Sequence, residues 1–308
     1  MMPYGTAAEA EAALGRSMTW AEALWFRYSA GMPDLWLTWN IALVYLVMYA
    51  VAPLPVMILQ QLAPGYALRH KLQPGVPQPS PVSAYLTYIW DSKGVTLSAL
   101  GPFPLIYSAA FKLFGVRTGL PLPSIWETAM HLVVYSLVED YLSYWLHRFL
   151  HTKWGYENIH HVHHEKTAPS GFAAAYATGT ELTLYLITLF LGPAIVPSHV
   201  TTHWLWFAIR IMEAFDAHCG YDFPFTLARF IPFFGGAEFH DYHHYAGEKT
   251  KSNFSSVFTH CDYIYGTNKG YMYHKRSLAK VSARRTDGQT AVATALDRLG
   301  RSALHKLS

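Results

Sequence analysis

Three long intervals of this chain carry no Asp, Glu, Lys or Arg. They lie between Asp34 and Arg69, from Val95 to Phe111, and from Leu182 to Ile209. A membrane-spanning helix needs roughly 20 mostly apolar residues, so the first interval predicts a span, with Pro53 and Pro55 near its end. The second is marginal and interrupted at Gly101-Pro102. The third, broken at Gly192-Pro193 and at Pro197, predicts a helical hairpin. One such interval would fit a buried helix of a soluble core; three within 308 residues predict an all-α, polytopic membrane protein.

Composition sharpens this picture. Only 14% of residues are charged while 52% are hydrophobic, too few charges to solvate a soluble surface of this size. Residues 1–34 carry scattered charges and no apolar signal core, so they read as an interfacial segment, with the first span as targeting anchor. Cys219 and Cys261 cannot build a disulfide framework and read as reduced thiols. From Lys275 onward eight Lys or Arg face only Asp287 and Asp297, which places the C-terminus in the cytoplasm. Val292, Leu296, Leu299, Ala303 and Leu307 recur at helical spacing there, as in a helix lying on an anionic membrane or a solvated terminal helix. No basic patch interleaves with stacking aromatics, which excludes a nucleic-acid partner.

The chain therefore divides into an interfacial segment (1–34), spans joined by the proline-rich loop "QPGVPQPSPVS" (35–116), a histidine-rich region (117–275) and a basic tail (276–308). Ser124, three residues before Glu127, marks a helix start.

Three boxes hold the candidate chemistry: His147 and His151 in "HRFLH", His160, His163 and His164 in "HHVHH", and His240, His243 and His244 in "HDYHH". On a helix, positions i, i+3 and i+4 share a face, so each box aims its imidazoles one way. His161 falls off that face. Eight aligned imidazoles exceed one tetrahedral zinc and suit a pair of five- or six-coordinate metals; ligand type alone leaves iron, zinc, copper and nickel open. His218 is a ninth candidate, from its place at a helix end before the third box, although a lone histidine is normally structural. Ligating imidazoles donate their second ring N–H to a carboxylate or carbonyl. Asp140 and Tyr144 share a face with His147 and His151 and are the first candidates for that role. Glu139, Glu165, Asp216 and Asp241 follow, their alternative being ion pairs with Arg148 or Arg210. No H-E-x-x-H, G-x-S-x-G, Walker or dinucleotide motif occurs.

At these boxes the sequence resembles the fatty acid hydroxylase/sterol desaturase superfamily and, more narrowly, the plant-type methylsterol monooxygenases. The likeness runs from "MMPYGTAAEAEAALGRS" to "FFGGAEFHDYHHYAGEKTKSNFSSVFTHCDYIYGTNKGY". "HCGYDFP" and the run after the third box are similar to the 4,4-dimethylsterol branch. The resemblance implies a histidine-rich helical cap facing the cytosol from the endoplasmic reticulum membrane. It implies two non-haem irons held by His147, His151, His160, His163, His164, His218, His240, His243 and His244. It further implies dioxygen-dependent oxidation of a sterol 4α-methyl group to the carboxylate, which a separate sterol C-4 decarboxylase removes. Electrons would come from NAD(P)H through a reductase and an external cytochrome b5, since no H-P-G-G haem motif is present. Ala175 stands where family members often carry proline, which bears on pocket shape. Phe172 and Tyr176 are candidate pocket residues or plain membrane core. Competing readings are another di-iron reaction (desaturation, acyl hydroxylation, aldehyde decarbonylation) and a histidine-rich metal transporter.

Overall fold

The computed structural model describes residues 3–77, 81–91, 102–247 and 251–280. Residues 95–101 of the second apolar interval and the tail helix expected around Val292–Leu307 lie outside these residues.

The described chain is all-helical, as expected, with isolated bridges in place of sheets. Two short helices, α1 (Ala7–Leu14) and α2 (Trp20–Ser29), precede α3 (Asp34–Val51) and α4 (Leu54–Leu62). Thr19 and Glu22 close α2 with a reciprocal capping box. Residues 1–34 do more than rest at an interface, because Trp25 and Phe26 pack with Leu37, Ile41 and Trp206 in the main apolar cluster. Pro53, with no N–H to donate, separates α3 from α4. Together they form the one stretch among the described residues long and apolar enough to cross a membrane, Asp34–Leu62, with mean hydropathy 2.3. Only 28% of its apolar window is buried, so most of that surface faces outward, as lipid contact requires.

After α5 (Pro64–Arg69), α6 (Pro81–Asp91) and α7 (Pro102–Leu113) comes the long α8 (Ile125–Leu150). Its start is the expected one, with the Ser124 hydroxyl accepting from the Glu127 N–H at 3.0 Å. The third apolar interval forms the expected hairpin, α9 (Gly179–Ile195) and α10 (Val200–Ala217), with its break at residues 196–199 around the expected Pro197. Gly192-Pro193 stays helical. Proline deprives the Leu189 carbonyl of its helical donor, and the Trp206 indole N–H of α10 supplies one at 3.1 Å. Gly192 lets α9 approach α8, since a Cβ there would lie 2.9 Å from Tyr135 Cα.

Buried charge ties the same helices together. Arg210 of α10 donates to Glu139 of α8 at 2.9 Å and to Glu213 one turn along. Glu139 therefore takes the ion-pair role. His199 and His203 serve the bundle too: His199 caps α10 and reaches the Gly119 carbonyl at 3.1 Å, and His203 meets the Tyr107 hydroxyl at 2.9 Å. The chain then forms α11 (Gly236–Ala246) and α12 (His260–Tyr265). Cys219 and Cys261 are free and buried.

Candidate metal centre

Nine buried imidazoles, from the ends of α8 and α10, the turns after α8, and α11, converge in two adjoining groups. One contains His147, His151, His160, His164 and His243; the other contains His163, His218, His240 and His244. All nine candidates are thus brought together, while His161 is exposed. The three histidines of an H-x-x-H-H box do not serve one centre, as their shared face suggested. The i and i+4 members of each box join one group and the i+3 member joins the other. His163 and His164, and likewise His243 and His244, bridge the two groups, with ring centroids 5.8 Å apart in both pairs.

Local structure explains the second box, which is not an ordinary α-helix. Thr152 caps a single turn at Lys153–Gly155, and the chain then widens so that the His161 N–H reaches the Tyr156 carbonyl. His163–Glu165 form a tight 3₁₀ turn. Such i→i+5 widening occurs often at functional sites because it re-aims side chains out of helical register.

The ring nitrogens are ordered by what lies behind them. The Nδ1–H groups of His147, His243, His163 and His218 donate to the carbonyls of Phe254 (2.8 Å), Ser252 (2.7 Å), Tyr176 (3.1 Å) and Ala214 (2.7 Å). His160 Nδ1 meets the Glu181 carboxylate at 2.8 Å, with both side chains buried. With Nδ1 protonated, each neutral ring presents a bare lone pair at Nε2. In the five-histidine group neighbouring Nε2 atoms stand 3.1–3.2 Å apart, and in the four-histidine group 2.9–3.3 Å. Lone pairs at that distance repel unless a cation lies among them. An edge of ~3 Å is what two nitrogens at right angles on ~2.1 Å metal bonds produce. Burial, aided by the neighbouring rings, pushes His163 and His243 down to about 4 and His151, His160 and His164 well below the usual imidazole range. Neutral imidazole is the ligating form. The donor set fits a pair of first-row metal ions, in keeping with a non-haem di-iron site.

The supporting residues expected from sequence are placed differently. Asp140 touches none of the nine clustered imidazoles; its Oδ1 accepts from the Val257 and Phe258 N–H groups at 2.9 and 3.0 Å. Tyr144 pairs with the Thr267 hydroxyl at 3.1 Å and packs against Phe254. Glu165 accepts at 2.6 Å from the hydroxyl of Tyr176, the residue whose own carbonyl receives His163. Asp241 accepts from Gln73, and Asp216 lines a cavity away from both groups. These carboxylates sit on the right helices, but their side chains serve loops. The carboxylate that meets a ring is Glu181, which sequence reading missed. Its signal was Thr178-x-x-Glu181, a cap that fixes the first turn of α9 beside Ile159. Asp140, His260 and Cys261 also bring donor atoms within 4.8 Å of one another; Asp140's two backbone bonds and its 3.3 Å approach to His260 account for that grouping.

A cavity of about 270 Å³ opens onto both histidine groups, at His147 on one and at His163, His218 and His240 on the other. Its walls are mostly apolar, among them Ala174, Ala175, Leu186, Phe207 and Ile211. Tyr176 contributes its carbonyl to His163, and Phe172 lines a second cavity of about 680 Å³ on the far side of α10, so of their two readings the lining of the first cavity is not the one adopted.

The family model for fatty acid hydroxylases matches residues 132–267. Very-long-chain aldehyde decarbonylase GL1-10 of Oryza sativa subsp. japonica is 54% identical over 94% of this chain and 96% of its own length. Methylsterol monooxygenases 1-2 and 1-1 of Arabidopsis thaliana are 48% and 47% identical, each over 91% of this chain and 94% of their own. No solved structure matches.

Proposed function

The chain belongs to the fatty acid hydroxylase family, and from that premise we propose that it is a di-iron methylsterol monooxygenase. It oxidises the 4α-methyl group of 4,4-dimethylsterols stepwise to hydroxymethyl, aldehyde and carboxylate. The observation that carries this reading is the apolar cavity reaching both histidine groups at once. A sterol methyl offers neither an acidic proton nor a leaving group, so acid–base side chains have nothing to act on. Two irons bound by the nine histidines would supply the oxidising power that dioxygen and an electron pair provide.

The chain's own residues do the rest. Carbonyls at Phe254, Ser252, Tyr176 and Ala214, with Glu181, fix five rings so that Nε2 faces inward. The four-histidine group has fewer protein donors, and three of its residues border the cavity, so an iron held there would adjoin the substrate. Apolar walls exclude water and present one methyl. Each round takes a C–H bond, dioxygen, an electron pair and two protons to C–OH and water. The electrons come from NAD(P)H through a reductase and cytochrome b5. The enzyme sits in the endoplasmic reticulum membrane with its histidine cap toward the cytosol, and a sterol C-4 decarboxylase takes its product.

A second reading, conversion of a very-long-chain aldehyde, is favoured by the name of the 54%-identical rice relative. Sterol profiling separates the two. A strain lacking its own sterol 4-methyl oxidase should stop accumulating 4,4-dimethylsterols when it carries this chain, and should keep accumulating them with His163→Ala. Microsomes that turn over only long-chain aldehydes would overturn the sterol reading; undiminished rescue by His163→Ala would overturn the ligand assignment.

A further inference from the structure

The segment Ser252–Phe258 touches the five-histidine group from outside and is fastened at nearly every residue. Two of its carbonyls, from Ser252 and Phe254, receive the Nδ1–H groups of His243 and His147. These rings come from different boxes, yet both belong to the five-histidine group. The N–H groups of the same segment go to two carboxylates. Asp262, fully buried, accepts from Phe254 at 3.0 Å with Oδ1 and from Ser255 at 2.8 Å with Oδ2; Thr267 adds a 2.6 Å bond to Oδ1. Asp140 accepts from Val257 and Phe258. Between Ser252 and Phe254, Asn253 adopts a left-handed backbone at φ 59°, a conformation asparagine tolerates, and its side-chain amide holds the Phe239 carbonyl at 2.9 Å. Ser255 and Ser256 of this segment also line the cavity.

We propose that Asp262 is a positioning residue for the five-histidine metal, acting through the backbone of Ser252–Phe258, with Asp140 securing the far end of that segment. The proposal rests on the reading that this group holds a metal. An ordered peptide with its N–H groups held by a carboxylate has its carbonyls fixed in direction, and a fixed carbonyl fixes the ring that donates to it. Loosening that support typically weakens a metal site tenfold to a hundredfold. The effect is one-sided, because His163 and His218 of the four-histidine group take their carbonyls from Tyr176 and Ala214.

The test is chelator competition for ferrous iron on the purified full chain in detergent, resolved by Mössbauer spectroscopy, with thermal unfolding of the metal-free chain alongside. Asp262→Asn replaces one accepting oxygen with an amide that cannot accept from Ser255. It should weaken one iron at least tenfold, and the iron left at sub-stoichiometric loading should match the one retained by His147→Ala. Asp140→Asn should weaken the same iron by a smaller factor and gives an independent test if Asp262→Asn folds poorly. Equal weakening of both irons with a lowered metal-free melting temperature would reduce Asp262 to scaffolding and overturn the proposal, as would unchanged affinity at both sites. A wild-type chain that binds no iron under these conditions would instead overturn the di-metal reading beneath it.

Discussion

Gly155 stands between the first two histidine boxes and gives a sharp test of how the turn there assembles the centre. Its backbone is ordinary right-handed helix, φ −60° and ψ −43°, where exchange for alanine normally adds about 1 kcal/mol of helix propensity. The surroundings say otherwise. A Cβ at this position would lie 2.5 Å from the Phe149 carbonyl oxygen and 2.9 Å from Leu150 Cα. Both are backbone atoms at the end of α8, with no rotamer to swing away. Reaching 3.4 Å, where ordinary contacts begin, means parting the chain by roughly 0.9 Å, against a tolerance of ~0.5 Å for a preorganised site. Overpacking of this kind costs about 1–3 kcal/mol, which cancels or exceeds the propensity gain. The displaced turn carries His151 on one side and His160 and His164 on the other, all with Nε2 neighbours at 3.1–3.2 Å. Gly155→Ala should therefore lower the metal-free melting temperature and weaken iron binding at the five-histidine group at least tenfold. Elemental analysis after chelator challenge, with thermal unfolding in detergent, measures both. A variant that melts higher and retains two irons per chain would refute the reasoning.

Four further outcomes are expected. Glu181→Ala strands the buried His160 Nδ1–H and should weaken the same iron about 10- to 100-fold, Glu181→Gln less, as chelator competition would measure. Ala175→Phe intrudes on the cavity and should cut sterol turnover about tenfold, roughly 1.4 kcal/mol of barrier, with iron content unchanged in elemental analysis. Arg210→Met leaves Glu139 and Glu213 buried without their cation and should destabilise the bundle by about 3–5 kcal/mol in denaturant titrations. In the metal-free chain His163 and His243 titrate at about 4 when folded, against ~6.5 unfolded. The unfolded chain binds more protons between these values. Stability present above pH ~6.5 is thus lost as pH falls toward 4, by about 1.4 kcal/mol per pH unit for each group; denaturation midpoints at pH 7.5 and 5 that agree would contradict this.

Much of the candidate site was legible because spacing carries it. H-x-x-H-H repeats and H-x-x-x-H announce aligned imidazoles whatever the fold, and charge-free intervals announce helices in lipid. Carboxylate partners were not legible, because a partner is chosen in three dimensions. Asp140 lies two turns from His147 on one helix, yet its Oδ1 is taken by Val257 and Phe258, more than 100 residues on. Glu181 reaches His160 only because Thr178 caps α9 beside Ile159. Gly192-Pro193 looked like a break, and Trp206 from the next helix supplied the bond that kept it helical.

By itself, the sequence determined the helical class, the first apolar span, the hairpin and the identity of eight converging histidines, since these follow from period and composition, which are local; the ninth, His218, rested on the family resemblance. Only the tertiary structure decided how those histidines divide five and four, that neighbours in one box face different centres, and which carbonyls and carboxylates stand behind them. That division depends on a widened turn at Tyr156–His160 and on where α11 meets the end of α8, and contacts between distant segments leave no periodic trace in the chain.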